Sequence, residues 1–300
     1  MTADGAIRIK PRGNSVNTFP RVVILMVAAS LAAYSQSPGS LSSIYDSKLA
    51  SGLALADSIP PTIDANGVIS GASFQPGIVP GSWLAIKGSN FSPVTDTWEK
   101  AIVGGVLPTS LDGVSVSVGS KPAYVYYISP GQINVQAPDV GAGPVPVTVT
   151  TPSGTSAAVT ATVVVQAPAF FLWPGNQAVA TQNSDGSLAV KAGTFAGATT
   201  AAAKPGDVIV LWGTGFGPTT PPVPAGIAVP SDKVYNTSPV TIKIGTVDAQ
   251  VFGSALSPGF AGLYQMAIQV PASLADGDYP LKATVSGVTS PDGVILSVKK

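Results

Sequence analysis

Neighbouring carboxylates are the side chains of this sequence most suited to chemistry. Asp96 and Glu99 flank Trp98 in the stretch VTDTWEK, and Asp276 and Asp278 enclose a glycine in LADGDYP. Two acids across a sugar-sized cleft can hydrolyse a glycosidic bond, and several oxygen donors can bind Ca²⁺. A simpler interpretation is available for both stretches, because turns and surface loops favour Asp and Gly for backbone reasons. We expect loops at both places.

Histidine and cysteine are absent from the 300 residues, and Glu99 is the single glutamate. Their absence removes the usual general base, the thiolate nucleophile, every Ser-His-Asp arrangement and the commonest metal ligand. We therefore expect a protein that is not an enzyme, with no cofactor and no metal site.

Flat aromatic side chains are better candidates for binding. Exposed rings can stack on sugars or anchor a protein partner. The alternative is that they pack on another strand, under a loop or at a junction between domains. The possible ligand-contact aromatics are Trp83, Trp98 and Trp212.

The first residues are typical of an export signal. Four basic residues precede the twelve-residue apolar run 22–33, and small residues follow it. Twelve residues span about 18 Å as a helix, whereas a bilayer core is about 30 Å thick. We predict a secretory signal peptide at 1–35, a Ser-rich linker at 36–60 and a secreted or cell-surface location. An uncleaved anchor or a buried helix is the alternative.

The chain beyond position 35 has a small negative charge. Four of the 15 basic residues and one of the 15 acids precede that point, which leaves 11 bases and 14 acids, a net charge of −3. No arginine follows Arg21. Nucleic acids and nucleotides are bound through clustered Lys and Arg. We therefore expect neither as a partner, and no stable membrane span once the signal is removed.

Two stretches of the sequence match without a gap. PGSWLAIKGSNFSP at 80–93 and PGDVIVLWGTGFGP at 205–218 are offset by 205 − 80 = 125 positions, and further matches follow both. They share a Gly-x-x-Phe-x-Pro motif, formed by Gly88, Phe91 and Pro93 and by Gly213, Phe216 and Pro218. We predict two copies of one unit, at 61–166 and 167–300, each the length of a β-sandwich.

The glycines of GTGFGP do not form a phosphate-binding loop. Such a loop needs a helix after it, so that the helix N-terminus faces the phosphate. TTPPVPAG follows GTGFGP and cannot begin a helix, and the matching GSNFSP keeps one of the three glycines. We interpret the motif as a strand end, an aromatic turned into the core and a proline that starts a loop.

Apolar residues alternate with a period of two within each copy. This pattern and the many Pro-Gly, Ser-Gly and Asp-Gly pairs predict strands joined by turns. We expect Trp83 and Trp212 to face away from the residues of their strands that face the core, which are Leu84, Ile86, Ile209 and Leu211. The apolar AFFLWP at 169–174 predicts a packed junction between the copies.

These motifs together resemble the IPT/TIG class of immunoglobulin-like domains. ISPGQINVQAP and SPGFAGLYQMAIQVP also resemble the C-terminal region of exported Solibacter-type proteins of the Acidobacteria. The resemblance covers about residues 61–298. It implies an extracellular or cell-surface β-sandwich module and supplies no catalytic residues.

The predicted fold is all-β, with two tandem immunoglobulin-like (IPT/TIG-like) β-sandwiches. The first functional hypothesis is a non-catalytic module for protein interaction or surface architecture. The second is a carbohydrate-binding module that uses exposed aromatics, and the third is an enzyme that uses Asp96 and Glu99. The expected partner is an unknown protein or glycan at the cell surface.

Overall fold

The computed structural model describes residues 59–196 and 200–300. The predicted signal at 1–35 and all but the last two positions of the predicted linker lie outside these residues. Within the described part of the chain, no helix has the length and hydrophobicity of a membrane span.

The first eleven strands form two sheets that pack face to face. One has the order β1-β2-β8-β7-β3, and the other is built around β10-β9-β5-β4, with β11 on β9 and β6 on β5. A 3-10 turn at Trp98–Lys100 follows β3. The strands are β1 (Thr62–Ser70), β2 (Trp83–Ser89), β3 (Asp96–Thr97), β4 (Ser110–Leu111), β5 (Val114–Val118), β6 (Lys121–Pro122), β7 (Tyr124–Ile128), β8 (Gln132–Gln136), β9 (Gly143–Thr151), β10 (Gly154–Thr155) and β11 (Val159–Val163).

The other thirteen strands form one sheet that folds around a second core. Its order is β12-β16-β21-β20-β19-β22-β24-β14-β13, and short strands pair at its edges. A 3-10 turn lies at Pro174–Asn176. The strands are β12 (Ala169–Phe170), β13 (Leu172–Trp173), β14 (Gln177–Ala178), β15 (Ala180–Gln182), β16 (Val208–Thr214), β17 (Thr219–Thr220), β18 (Asn236–Thr237), β19 (Val240–Ile244), β20 (Val247–Leu256), β21 (Tyr264–Gln269), β22 (Gly277–Val285), β23 (Val288–Thr289) and β24 (Ile295–Val298).

Strand β20 connects the two layers of the second sandwich. Its first residues pair with β19 and its later ones with β21, and a bulge lies between Val251 and Gly253. Because a bulge bends and twists a strand, β20 passes from one layer to the other without a break. The second sandwich is therefore one continuous sheet, whereas the first consists of two.

Successive side chains of β2 and β16 alternate between the core of their own sandwich and the opposite face of the sheet. Leu84 and Ile86 lie in the core of the first sandwich, and Ile209 and Leu211 lie in the core of the second. The residues between them face outward, because successive side chains of a strand point to opposite faces. The all-β fold and these facing directions are confirmed.

The Gly-x-x-Phe-x-Pro motif places a ring directly beneath its glycine. Phe216 is fully buried, and a Cβ on Gly213 would lie 2.9 Å from its ring and overlap the Ala169 carbonyl oxygen. Gly88 has the same relation to Phe91 and to the Thr62 carbonyl. Glycine is therefore required at both positions by the close approach of a ring and a neighbouring strand.

Gly213→Ala is expected to lower the free energy of unfolding by about 1–3 kcal/mol, because the added methyl must displace β12 or the Phe216 ring. Gly253→Ala is the matched control, since a Cβ there meets nothing within 4 Å, and it should change stability by less than about 0.5 kcal/mol. Urea unfolding of both variants measures the difference. Equal effects would contradict this account of the turn.

Candidate functional site

The three tryptophans named as possible ligand contacts lie inside the molecule. Trp83 is 4% exposed, Trp98 8% and Trp212 5%. The set that contains them, here named the junction cluster, is Ala72, Trp83, Ala85, Trp98, Leu107, Tyr126, Ala169, Phe171, Trp173, Val179, Val190, Val210, Trp212, Ala261 and Leu263. Its members come from both sandwiches. The structure therefore agrees with the alternative of packing at a junction or under a loop and not with exposed rings, because the outer faces of β2 and β16 are covered by the other sandwich and by loops.

Three aromatic rings of the first sandwich meet edge to face in this cluster. The ring centroids of Trp83 and Trp98 are 5.5 Å apart, and Tyr126 lies 5.4 Å from Trp83 and 5.0 Å from Trp98. Trp98 reaches the sheet from the 3-10 turn, and Tyr126 sits in a bulge of β7 between Val125 and Tyr127. Edge-to-face pairs contribute about 0.5–1.5 kcal/mol each beyond burial. The rings are held by one another and present no open face to a ligand.

Trp83 is bonded to the second sandwich through both of its N–H groups. Its indole Nε1–H donates to the Ala261 carbonyl at 2.9 Å, and its backbone N–H donates to the Thr214 hydroxyl at 3.2 Å. The same hydroxyl donates to the Gly262 carbonyl at 2.9 Å. Trp212 instead donates its indole N–H to Thr181, within its own sandwich, at 3.1 Å. Trp83 is thus the tryptophan that joins the two halves.

A second set of hydrogen bonds joins the sandwiches beside the cluster. Gln136 accepts the Gly226 N–H at 2.9 Å, and the Leu107 N–H donates to the Gly226 carbonyl at 3.0 Å. Gly226 has a φ of +88°, and a Cβ there would overlap the Tyr124 ring. The loop that carries Gly226 therefore seats its backbone directly on the first sandwich.

Matching residues of the two copies make the same local bonds. Gln136 donates its amide to the Gly81 carbonyl at 2.9 Å, and Gln269 donates to the Gly206 carbonyl at 3.1 Å. The Trp83 bond across the junction involves positions where the matching stretches differ. Val208 stands at the position that matches Trp83, and the stretch 260–264, which supplies the Ala261 carbonyl that Trp83 bonds, has no counterpart in the first stretch.

The paired acids of the sequence serve the local structure. Asp96 accepts the Thr97 N–H at 2.7 Å, and Glu99 is exposed. Asp276 accepts the Lys300 N–H at 2.9 Å. Asp278 accepts hydrogen bonds from Ser297 and Lys191, which hold the pKa of its carboxyl below the usual value. Across residues 59–196 and 200–300, no group of three acids is placed to hold a metal ion.

An apolar cleft of about 480 Å³ opens beside the junction cluster. One wall belongs to the first sandwich and the segment that leaves it, and consists of 79–81, Gln136, Asp139, Val140, Ala142 and 163–165. The other wall consists of 217–219 and 222–225 of the proline-rich loop and of Ile227, Val229, Leu256, Gly262 and Tyr264. This cleft was not predicted, because its two walls come from different sandwiches. Its one indication in the sequence is the group of prolines in TTPPVPAG.

Residues 72–192 match the IPT/TIG domain family. The match begins in the first sandwich and ends beyond β15 in the second. The resemblance to an IPT/TIG domain is thereby confirmed, whereas the resemblance to Solibacter-type exported proteins is not. No curated protein matches the chain.

Solved structures similar to this IPT/TIG-containing chain include surface proteins. One is the SGBP-B of a Bacteroides ovatus mixed-linkage glucan utilization locus, in complex with a mixed-linkage heptasaccharide: 13% identity, 82% of this chain, 47% of that chain, TM-score 0.31. Another is the S-layer protein SbsC, domains 5–6, with 14% identity over 79% of this chain and 98% of that chain and a TM-score of 0.27. The chain spans about half the length of the SGBP-B. At these scores the similarities carry no information on ligands or partners.

Thr214→Val is expected to lower the free energy of unfolding by about 1–3 kcal/mol, because it leaves the buried Trp83 N–H and Gly262 carbonyl without a partner. The matched control is Ser89→Ala, since Ser89 is exposed and occupies the corresponding position 214 − 125 = 89. We expect an effect below about 0.5 kcal/mol there. Urea unfolding tests this prediction, and equal losses would show that Thr214 makes no special contribution.

Tyr126 makes the stability of the folded chain depend on pH in the alkaline range. Burial, and after it the charge of Glu99, raises its pKa from 10.0 to about 12. The folded chain keeps a proton that the unfolded chain loses above pH 10, so stability is full below pH 10 and falls as the pH rises toward 12. Tyr126→Phe should reduce this alkaline loss by about 2–3 kcal/mol. Glu99→Gln should have a smaller effect, because burial is the larger cause. Urea unfolding at pH 9 to 12 measures both.

Proposed function

We propose that residues 61–300 are a non-catalytic module for protein interaction or surface architecture at the cell exterior. Two immunoglobulin-like sandwiches would act in it as one rigid unit. The observation that carries the proposal is the junction cluster, a buried set of aromatic and aliphatic side chains drawn from both sandwiches.

Energetics favour a fixed arrangement of the two sandwiches. Domains joined by a small polar interface are expected to move relative to one another. Here the interface contains a buried tryptophan, and removal of such a side chain costs about 3–5 kcal/mol. The hydrogen bonds from Trp83 to Ala261 and Thr214 are directional and favour one orientation of the two sandwiches. A spacer that keeps its shape suits an architectural or scaffolding role better than a flexible tether does.

Residue chemistry supports the absence of catalysis in this proposal. The chain lacks His and Cys, and the acids that come close in sequence are engaged in loop and strand contacts. The extracellular location rests on the predicted signal at 1–35. Carbohydrate binding through Trp83, Trp98 and Trp212 is not proposed, because all three rings are buried.

A pair of spin labels tests the rigid arrangement. The chain has no cysteine, so Thr160→Cys and Thr241→Cys, on exposed strand positions of the two sandwiches, can be labelled selectively. We expect a single narrow distance distribution between the labels. Adding Trp83→Ala should broaden it, whereas adding Ser89→Ala should not. A broad distribution in the otherwise unchanged chain would refute the rigid unit.

The same cysteines test the location. In the organism that makes the protein, a maleimide that cannot cross membranes should label Thr241→Cys on intact cells. The chain without a cysteine is the control for background labelling. Labelling that appears only after the cells are broken would refute a role at the cell exterior.

A further inference from the structure

The cleft beside the junction cluster offers an unusual set of polar groups. Its lining contains three side chains that can donate a hydrogen bond. All three already donate to backbone carbonyls: Gln136 to Gly81, Thr219 to Pro221 and Tyr264 to Gly217. The lining prolines add no donor, because proline has no N–H. The side chains of the cleft therefore present mostly carbon surface to a ligand.

Asp139 is the one charged residue of the lining. Its carboxylate accepts the Ala225 N–H at 3.2 Å through one oxygen. Lys121 bonds the backbone carbonyl of Asp139, and the ion pairs found in the described part of the chain involve other acids. Asp139 is exposed at the rim, so its charge is available to a molecule that enters the cleft.

We propose that this cleft binds a lysine side chain of a partner protein, presented by an extended segment with apolar neighbours. This inference rests on the proposed function and names the chemistry of its partner. Lysine buries a four-carbon stem along apolar surface and keeps its ammonium at a polar edge. The cleft supplies both parts, an apolar interior and a single carboxylate at the rim. Arginine fits less well, because its paired donors favour a carboxylate with both oxygens free.

Cleft size agrees with this occupant. Ligand sites commonly have volumes of about 300–1,000 Å³, form at domain interfaces and are mostly apolar with a few polar groups. A volume of about 480 Å³ accommodates one long side chain with parts of its neighbours. The walls belong to two sandwiches held by the junction cluster, so little ordering of the protein is required on binding.

Peptide titrations followed by ¹⁵N–¹H spectra of the whole protein test the proposal. The probe is an acetylated and amidated Val-Lys-Val tripeptide, with Val-Gln-Val as its uncharged match. We expect the lysine peptide to shift the amides of Ala142, Val165 and Val223 and to bind about threefold more tightly than the glutamine peptide. The difference should shrink in 1 M salt. Equal affinities would overturn the ammonium assignment, and absent shifts would overturn the site.

Substitutions in the cleft provide the matched controls. Asp139→Asn should weaken the lysine peptide about threefold and leave the glutamine peptide unchanged. Asp112→Asn is the control, because Asp112 lies in the turn beside Pro152, at the far end of β9 from Ala142. Ala142→Trp should abolish binding of both peptides by filling the cleft, and because Ala142 is exposed it leaves the core packing intact. Binding that survives Ala142→Trp would place the peptide elsewhere.

Failure of this inference is separable from failure of the proposed function. A narrow spin-label distribution together with absent peptide binding would remove the lysine site and keep the rigid module. A broad distribution would refute the module itself, and the cleft between its two walls with it.

Discussion

The hydrogen bond of the buried Trp83 indole N–H connects the two sandwiches. The Trp83 side chain leaves β2 on the face opposite the core of its own sandwich, where a single sheet offers it no cover. A buried indole N–H needs an acceptor, and leaving it without one costs about 1–3 kcal/mol. The Ala261 carbonyl of the second sandwich is that acceptor. Apolar contact between the sandwiches is non-directional, whereas this bond and the bond from the Trp83 backbone N–H to Thr214 favour one orientation.

Local features could be predicted from the sequence because they depend on local geometry. A period of two fixes which residues of β2 and β16 share a face, and the Phe-bearing turn follows from the need for glycine above a ring. Whether the opposite face of β2 and β16 is exposed or covered could not be predicted in this way. An outward aromatic on a strand gives the same pattern whether it meets solvent or a second domain. That ambiguity is why the sequence allowed Trp83, Trp98 and Trp212 to be either ligand contacts or packing residues, and the structure buries all three.

The two matching stretches of the sequence differ at residues that meet in the junction. Val208 stands at the position that matches Trp83, and the Ala261 carbonyl that accepts the Trp83 indole N–H lies in 260–264, which has no counterpart in the first stretch. The shared Gln136 and Gln269 each bond a backbone carbonyl within their own sandwich, and Gln136 also accepts the Gly226 N–H across the junction.

The cleft is a consequence of that same contact. Its walls come from the segment that leaves the first sandwich and from the proline-rich loop after β16, so their separation depends on how the sandwiches meet. Walls that are already in place reduce the ordering cost of binding. Gly226 brings this loop close to the first sandwich, since the Tyr124 ring leaves no space for a Cβ there. The cleft therefore belongs to the pair of sandwiches, and no motif within one matching stretch encodes it.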